Sequence, residues 1–196
     1  MKTKTPYIGY AVLTLAIAEC ALIVLSWLIS ATRIEGVRSL LSSEGIRWLF
    51  GSIVYIASSP VLVWLILILM ALGSFQKSGI THLRSMSYRD RLALRVSLSF
   101  LLIYVVIIGL LTLMPHAILL SVTGSLFPSA FSRSLVFIVC FGVCLFSITF
   151  SMMSGRAHTI SDVMDILTFG IQKGASLVIL YLILNQFIES LWFVFG

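Results

Sequence analysis

GVRSLLSSEGIRWLFGSIVYIASSPVLVWLILILMALGSFQKSG, running from Gly36 to Gly79, decides the fold. A polar lead-in ends at Ser42–Ser43–Glu44. Either serine can cap a helix there, and the glutamate meets the positive end of its dipole. The segment at about 43–57 then carries Ile46, Leu49, Phe50, Ile53, Ile56 and Ala57 on one stripe, with Glu44, Trp48, Gly51, Ser52 and Tyr55 off it. After Ser58–Ser59–Pro60 every residue from Val61 to Leu72 is apolar, and the run stops at Gly73 and Lys77. An amphipathic helix that feeds through a proline into an apolar one predicts an interfacial segment followed by one that crosses the bilayer.

The rest of the chain shares that solvent. Of its 196 residues 60% are hydrophobic and 10% charged, with a mean hydropathy of +1.13. A soluble domain carries roughly 25% charged residues, so the partner this composition fits is a lipid bilayer. The net charge of +6 is not gathered into a basic patch interleaved with aromatics, and no nucleic-acid partner is expected. Cys20, Cys140 and Cys144 all fall inside apolar runs, where cysteine packs as a small hydrophobe. Cys140 and Cys144 are one helical turn apart, but no histidine or carboxylate stands near enough to complete a metal site. No metal and no cofactor is expected. No Ser/His/Asp, Cys/His or paired-carboxylate set has a route to mutual contact, so the chain does not read as an enzyme and offers no catalytic residue.

Apolar runs at about 7–29, 60–76, 93–114, 134–153 and 175–195 are long enough to approach or exceed a hydrocarbon core of roughly 30 Å at 1.5 Å per residue. The first exceeds a signal-peptide core and lacks a small-x-small motif before Arg33 and Glu35, so it reads as a span. Met114–Pro115 ends the third. Residues 115–131, with Pro115, Gly124 and Pro128, read as a short external connection with a solvated His116 at its edge. A second amphipathic piece, 161–171, puts Val163, Ile166, Leu167, Gly170 and Ile171 on one face, with Ser161 as its cap and Asp162 in its first turn. Gln172–Lys173–Gly174 separates it from the last span. The expected architecture is a single all-α integral membrane domain over 1–196, with about five transmembrane helices and two amphipathic interfacial helices, at about 43–57 and 161–171. Nine Lys and Arg fall on the side of the N-terminus and four on the other, which predicts a multi-pass protein with its N-terminus cytoplasmic.

Four polar side chains at depth are the candidate substrate-binding residues: Glu19, Asn185, Gln186 and Glu189. A carboxyl at mid-membrane costs about 2.5–3.5 kcal/mol. Glu19 is therefore either a substrate-facing or proton-linked group or a protonated or hydrogen-bonded one facing another helix, and both readings stay open. Asn185 and Gln186 can join helices or line a solute path. Glu189, about two turns before the last residue, can reach the headgroups.

Several stretches, in order, resemble the p-aminobenzoyl-glutamate transporter (AbgT) family. They are SLLSSEGIRW with the following span and Gln76–Lys77–Ser78–Gly79, then Thr123–Phe131, then Ser161–Asp162–Val163–Met164, and last the run from Tyr181 to Ile188. The resemblance covers most of the chain in two blocks. It implies a transport-related protein of the bacterial inner (cytoplasmic) membrane that works as a homodimer or with a partner membrane protein. Members of that family are longer and build their substrate and ion site from two re-entrant hairpins. No counterpart of either hairpin is found, before the third span or after Gly196, so none of the family's site residues carries over. The expectation is a scaffold or dimer-contact part, with Gly109 and Gly142 facing a symmetry mate. The alternatives are a carrier of small anionic solutes such as p-aminobenzoyl-glutamate, or a solute-free adaptor for a partner. Apart from the resemblance, no span is interrupted by an Asn-, Ser- and Gly-rich break of the kind that forms ion sites.

Overall fold

A computed structural model describes residues 6–32, 37–80, 87–113 and 130–196. His116, nearly all of the proline-bearing connection and the loop around Arg84 lie outside the described residues. The described chain forms α1 (Pro6–Ala31), α2 (Ser43–Ala57), α3 (Pro60–Lys77), α4 (Tyr88–Leu113), α5 (Ala130–Met153) and α6 (Ile160–Phe195), and no strand occurs among these residues. Five of the helices are long and apolar enough to cross a membrane, and α2 is too short. The protein is an all-α, multi-pass membrane protein.

The helix starts follow local chemistry. Ser42 caps α2 by accepting the Gly45 N–H at 3.0 Å. Pro60 opens α3 at the one position where its missing N–H costs nothing, with Ser59 Oγ accepting from the Leu62 N–H at 3.4 Å. The cap of α6 is Thr159 and not Ser161. Thr159 Oγ1 accepts the Asp162 N–H at 3.2 Å, while the Asp162 carboxylate accepts from the His158 and Thr159 N–H groups, both at 2.9 Å. The exchange between Thr159 and Asp162 is a capping box. α5 ends where Gly155, at φ +74°, lets the Arg156 N–H return to the Ser151 carbonyl at 2.9 Å.

One expected element is corrected. The amphipathic piece 161–171 and the span 175–195 are a single helix of 36 residues, roughly 54 Å long at 1.5 Å per residue. Gln172 and Lys173 are good helix formers, and one interior glycine costs only about 1 kcal/mol. Without a proline nothing stops the helix. The apolar face of 161–171 is also not laid on a membrane surface. Ile166 and Gly170 are buried, packed against α3.

The chain divides into two compact units, Met1–Val63 with Gly174–Gly196, and Trp64–Lys173. In the first, Leu22, Leu40 and Val194 form a core flanked by Trp48 and Phe193, whose rings stack at 4.5 Å. The segment before α2 is clipped in place by the Arg38 N–H on the Val194 carbonyl and the Leu40 N–H on Ser26 Oγ, both at 3.1 Å. Gly45 is required there, since a Cβ would run into the carbonyls of Ser39 and Leu40. Only part of the apolar stripe of α2 is covered. Its buried positions are Gly45, Ser52 and Ile56, while Ile46, Phe50 and Ile53 are exposed. With lipid outside, the apolar stripe has no reason to turn inward, and small residues permit the closest helix contacts.

In the second unit α4 packs on α5, with Tyr104 Oη donating to the Ile138 carbonyl at 2.9 Å. Gly142 accommodates the Tyr104 ring, 3.1 Å from where its Cβ would be, so that face of Gly142 is filled by its own chain. A methyl group added at Gly109 would meet nothing within 4 Å. α3 and α6 cross backbone to backbone, Gly73 against Gly170, with no room for a Cβ at either. Across both units the largest fully buried side chains are Phe150, Leu40, Ile56 and Val194, and the others are serines such as Ser26, Ser74, Ser97 and Ser147. A serine hydroxyl bonded to its own helix fits a tight seam in lipid: Ser74 reaches the Met70 carbonyl at 2.7 Å and Ser147 the Val143 carbonyl at 2.7 Å.

Candidate functional site

In the first unit, three helices bring their polar side chains into one chain of contacts. Ser190 Oγ, fully buried on α6, donates to Glu19 Oε1 of α1 at 2.6 Å. One turn earlier on α6, Gln186 Nε2 lies 3.5 Å from Ser190 Oγ and donates to Ser52 Oγ of α2 at 3.0 Å. Spacing explains the alignment, because residues four apart share a helix face. The second carboxyl oxygen, Glu19 Oε2, is buried with no hydrogen-bond partner. Beside this chain lies a half-open cleft of ≈ 450 Å³, bounded by α1, α2 and α6 and lined by apolar side chains together with Glu19 and Gln186.

Two of the four expected residues, Glu19 and Gln186, thus meet in one place. Asn185 and Glu189 are half-buried and make no side-chain hydrogen bond among the described residues. Ser52 and Ser190 are the members that the sequence reading missed. The available signal was the position of Ser190 one turn after Gln186; nothing marked Ser52.

In the second unit a charged cluster sits at the helix ends. Arg156 donates to the Ser78 carbonyl at 2.7 Å, lies 3.4 Å from Asp90 Oδ1 and sits over the Phe150 ring at 5.4 Å. This gathers the turns after α3 and α5 and the start of α4 around one guanidinium. Lys77 and Lys173 lie 5.4 and 5.7 Å from the Phe169 ring, and Lys77 pairs loosely with Asp165 at 3.9 Å. Exposed pairs of that kind contribute little. Cys140 and Cys144 are buried in the α3–α5–α6 core, whereas Cys20 is exposed. Among the described residues no three His, Cys, Asp or Glu side chains are grouped so as to hold a metal.

No family model, curated protein or solved structure matches the chain. The chemistry of the site must therefore speak through its own residues. The chain from Glu19 to Ser52 has one strong acceptor, one amide and two hydroxyls in an apolar setting. It can bind and orient a small group.

Proposed function

We propose that this protein is a membrane-embedded frame of transport-related type, akin to the scaffold and dimer-contact part of AbgT-type secondary transporters. It works in the bacterial inner membrane with its N-terminus cytoplasmic, as a homodimer or joined to a partner membrane protein. The observation that carries this reading is the continuity of the described spans. All five run unbroken, whereas carriers grip solute and ions with backbone freed at helix breaks. Most of their buried hydroxyls are bonded within their own helices, as at Ser26 with Ile23 and Ser97 with Ala93. A frame needs rigid rods with small-residue seams, and these helices supply them.

The test is reconstitution of the chain alone into liposomes, with labelled p-aminobenzoyl-glutamate as solute, alongside the mass of the detergent-solubilised complex. The frame reading expects no uptake above empty liposomes and a mass greater than one chain. Uptake by the chain alone would replace it with a carrier of small anions. A stoichiometric membrane partner with no solute would make it an adaptor.

A further inference from the structure

The cleft in the first unit has a polar end and an apolar body, and the helix registers show where each lies. The hydrogen-bonded chain involves Glu19, Ser52, Gln186 and Ser190. The cleft extends from it to Ala16 on α1, to Ala57 on α2 and to Leu182 on α6. On each helix that is about one turn away from the polar chain. A volume of ≈ 450 Å³ falls among small-molecule sites of roughly 300–1,000 Å³.

The carboxyl at the polar end selects the ligand. Glu19 Oε1 has only the Ser190 hydroxyl, Oε2 has no partner, and no Lys or Arg pairs with this carboxyl among the described residues. A buried carboxyl oxygen without a donor is unfavourable. An ammonium is the group that removes the deficit most strongly, through a charge-assisted hydrogen bond. The carboxyl torsion of glutamate is soft and two-fold, so rotation about it can turn an oxygen toward the cleft that Glu19 lines. An anion meets repulsion at the same place. Gln186, its amide engaged with Ser52, adds a second polar contact without adding charge.

We propose that this cleft binds a lipophilic amine, with a compact apolar body along Ala16, Ala57 and Leu182 and its N–H groups on Glu19. The site is independent of the frame reading, because binding here requires no transport and no second subunit.

Three probes sharing one adamantyl cage test it: the amine rimantadine, 1-adamantanemethanol and 1-adamantaneacetic acid. Tritiated rimantadine is bound to the full chain in phosphatidylcholine nanodiscs, with empty nanodiscs as the blank, and the other two compete. The amine should bind about ten-fold or more tightly than the alcohol and more tightly still than the acid. Glu19→Gln should weaken the amine by about ten-fold while leaving the alcohol unchanged. Ala57→Phe, which fills the cleft and leaves the carboxyl in place, should abolish saturable binding of the amine. Equal binding of amine and acid, an amine affinity unchanged by Glu19→Gln, saturable amine binding in Ala57→Phe, or binding no greater than in empty nanodiscs overturns the proposal. Should Glu19→Gln fail to fold, Ala57→Phe and the amine–acid comparison decide it.

Discussion

Ser190 is the only donor to the Glu19 carboxyl among the described residues, so its removal should be felt. Ser190→Ala leaves a buried carboxyl without any donor and should lower stability by about 1–3 kcal/mol, read as a fall in the thermal unfolding temperature in detergent. Combined with Glu19→Gln the loss should be smaller than the sum of the two single changes, because the pair acts as a unit. Arg156 gives a contrast. Arg156→Ala removes a charged donor from the Ser78 carbonyl and should cost about 1.5–3 kcal/mol, whereas Asp90→Asn weakens a 3.4 Å, partly exposed pair while its amide oxygen can still accept the Ser87 N–H, and should cost less than about 1 kcal/mol. At this scale the sequence is half legible. Glu19 and Gln186 stand out because an ionisable group and an amide are rare in apolar runs. Ser52 and Ser190 do not, because serine recurs along every helix seam and only three-dimensional placement says which hydroxyl meets the carboxyl. Arg156 does not stand out until the turns around it are placed.

At the level of helices, the crossing of α3 and α6 at Gly73 and Gly170 makes a matched test. Gly170→Ala puts a methyl into the Leu69 carbonyl and the Gly73 backbone, and should destabilise by about 1–3 kcal/mol through overpacking. Gly109→Ala, with nothing within 4 Å, should be neutral or stabilising by up to about 1 kcal/mol. Both are measured by unfolding in the same detergent. The unbroken course of α6 predicts that Gln172→Pro costs about 3 kcal/mol; if 161–171 and 175–195 were separate helices, proline there would be tolerated. Apolar runs marked where each long described helix lies, since lipid demands long apolar stretches whatever they pack against. They misplaced the join within α6, because Gln–Lys–Gly resembles a loop in composition but offers helix formers in fact.

For the whole molecule, the same loss of contrast explains what the sequence could not give. When solvent and core are both apolar, hydrophobic patterning shows where helices are but not which faces meet. Sidedness, by contrast, is carried by charge. The expected topology places Arg38 outside and Arg89 inside, and both positions are exposed. In right-side-out spheroplasts a membrane-impermeant maleimide should therefore label Arg38→Cys in intact cells and Arg89→Cys only after permeabilisation. The bond between Glu19 and Ser190 also sets an order in time. Ser26, Ser74 and Ser97 have their acceptors within a turn, so those hydroxyls are satisfied as soon as each helix forms. Glu19 must wait for a hydroxyl 171 residues downstream, which at roughly 5–20 residues per second is on the order of 10–30 s of synthesis. α1 is made before the other described helices yet is completed only when α6 arrives, and during that interval its carboxyl depends on whatever the insertion machinery or the headgroups can lend it.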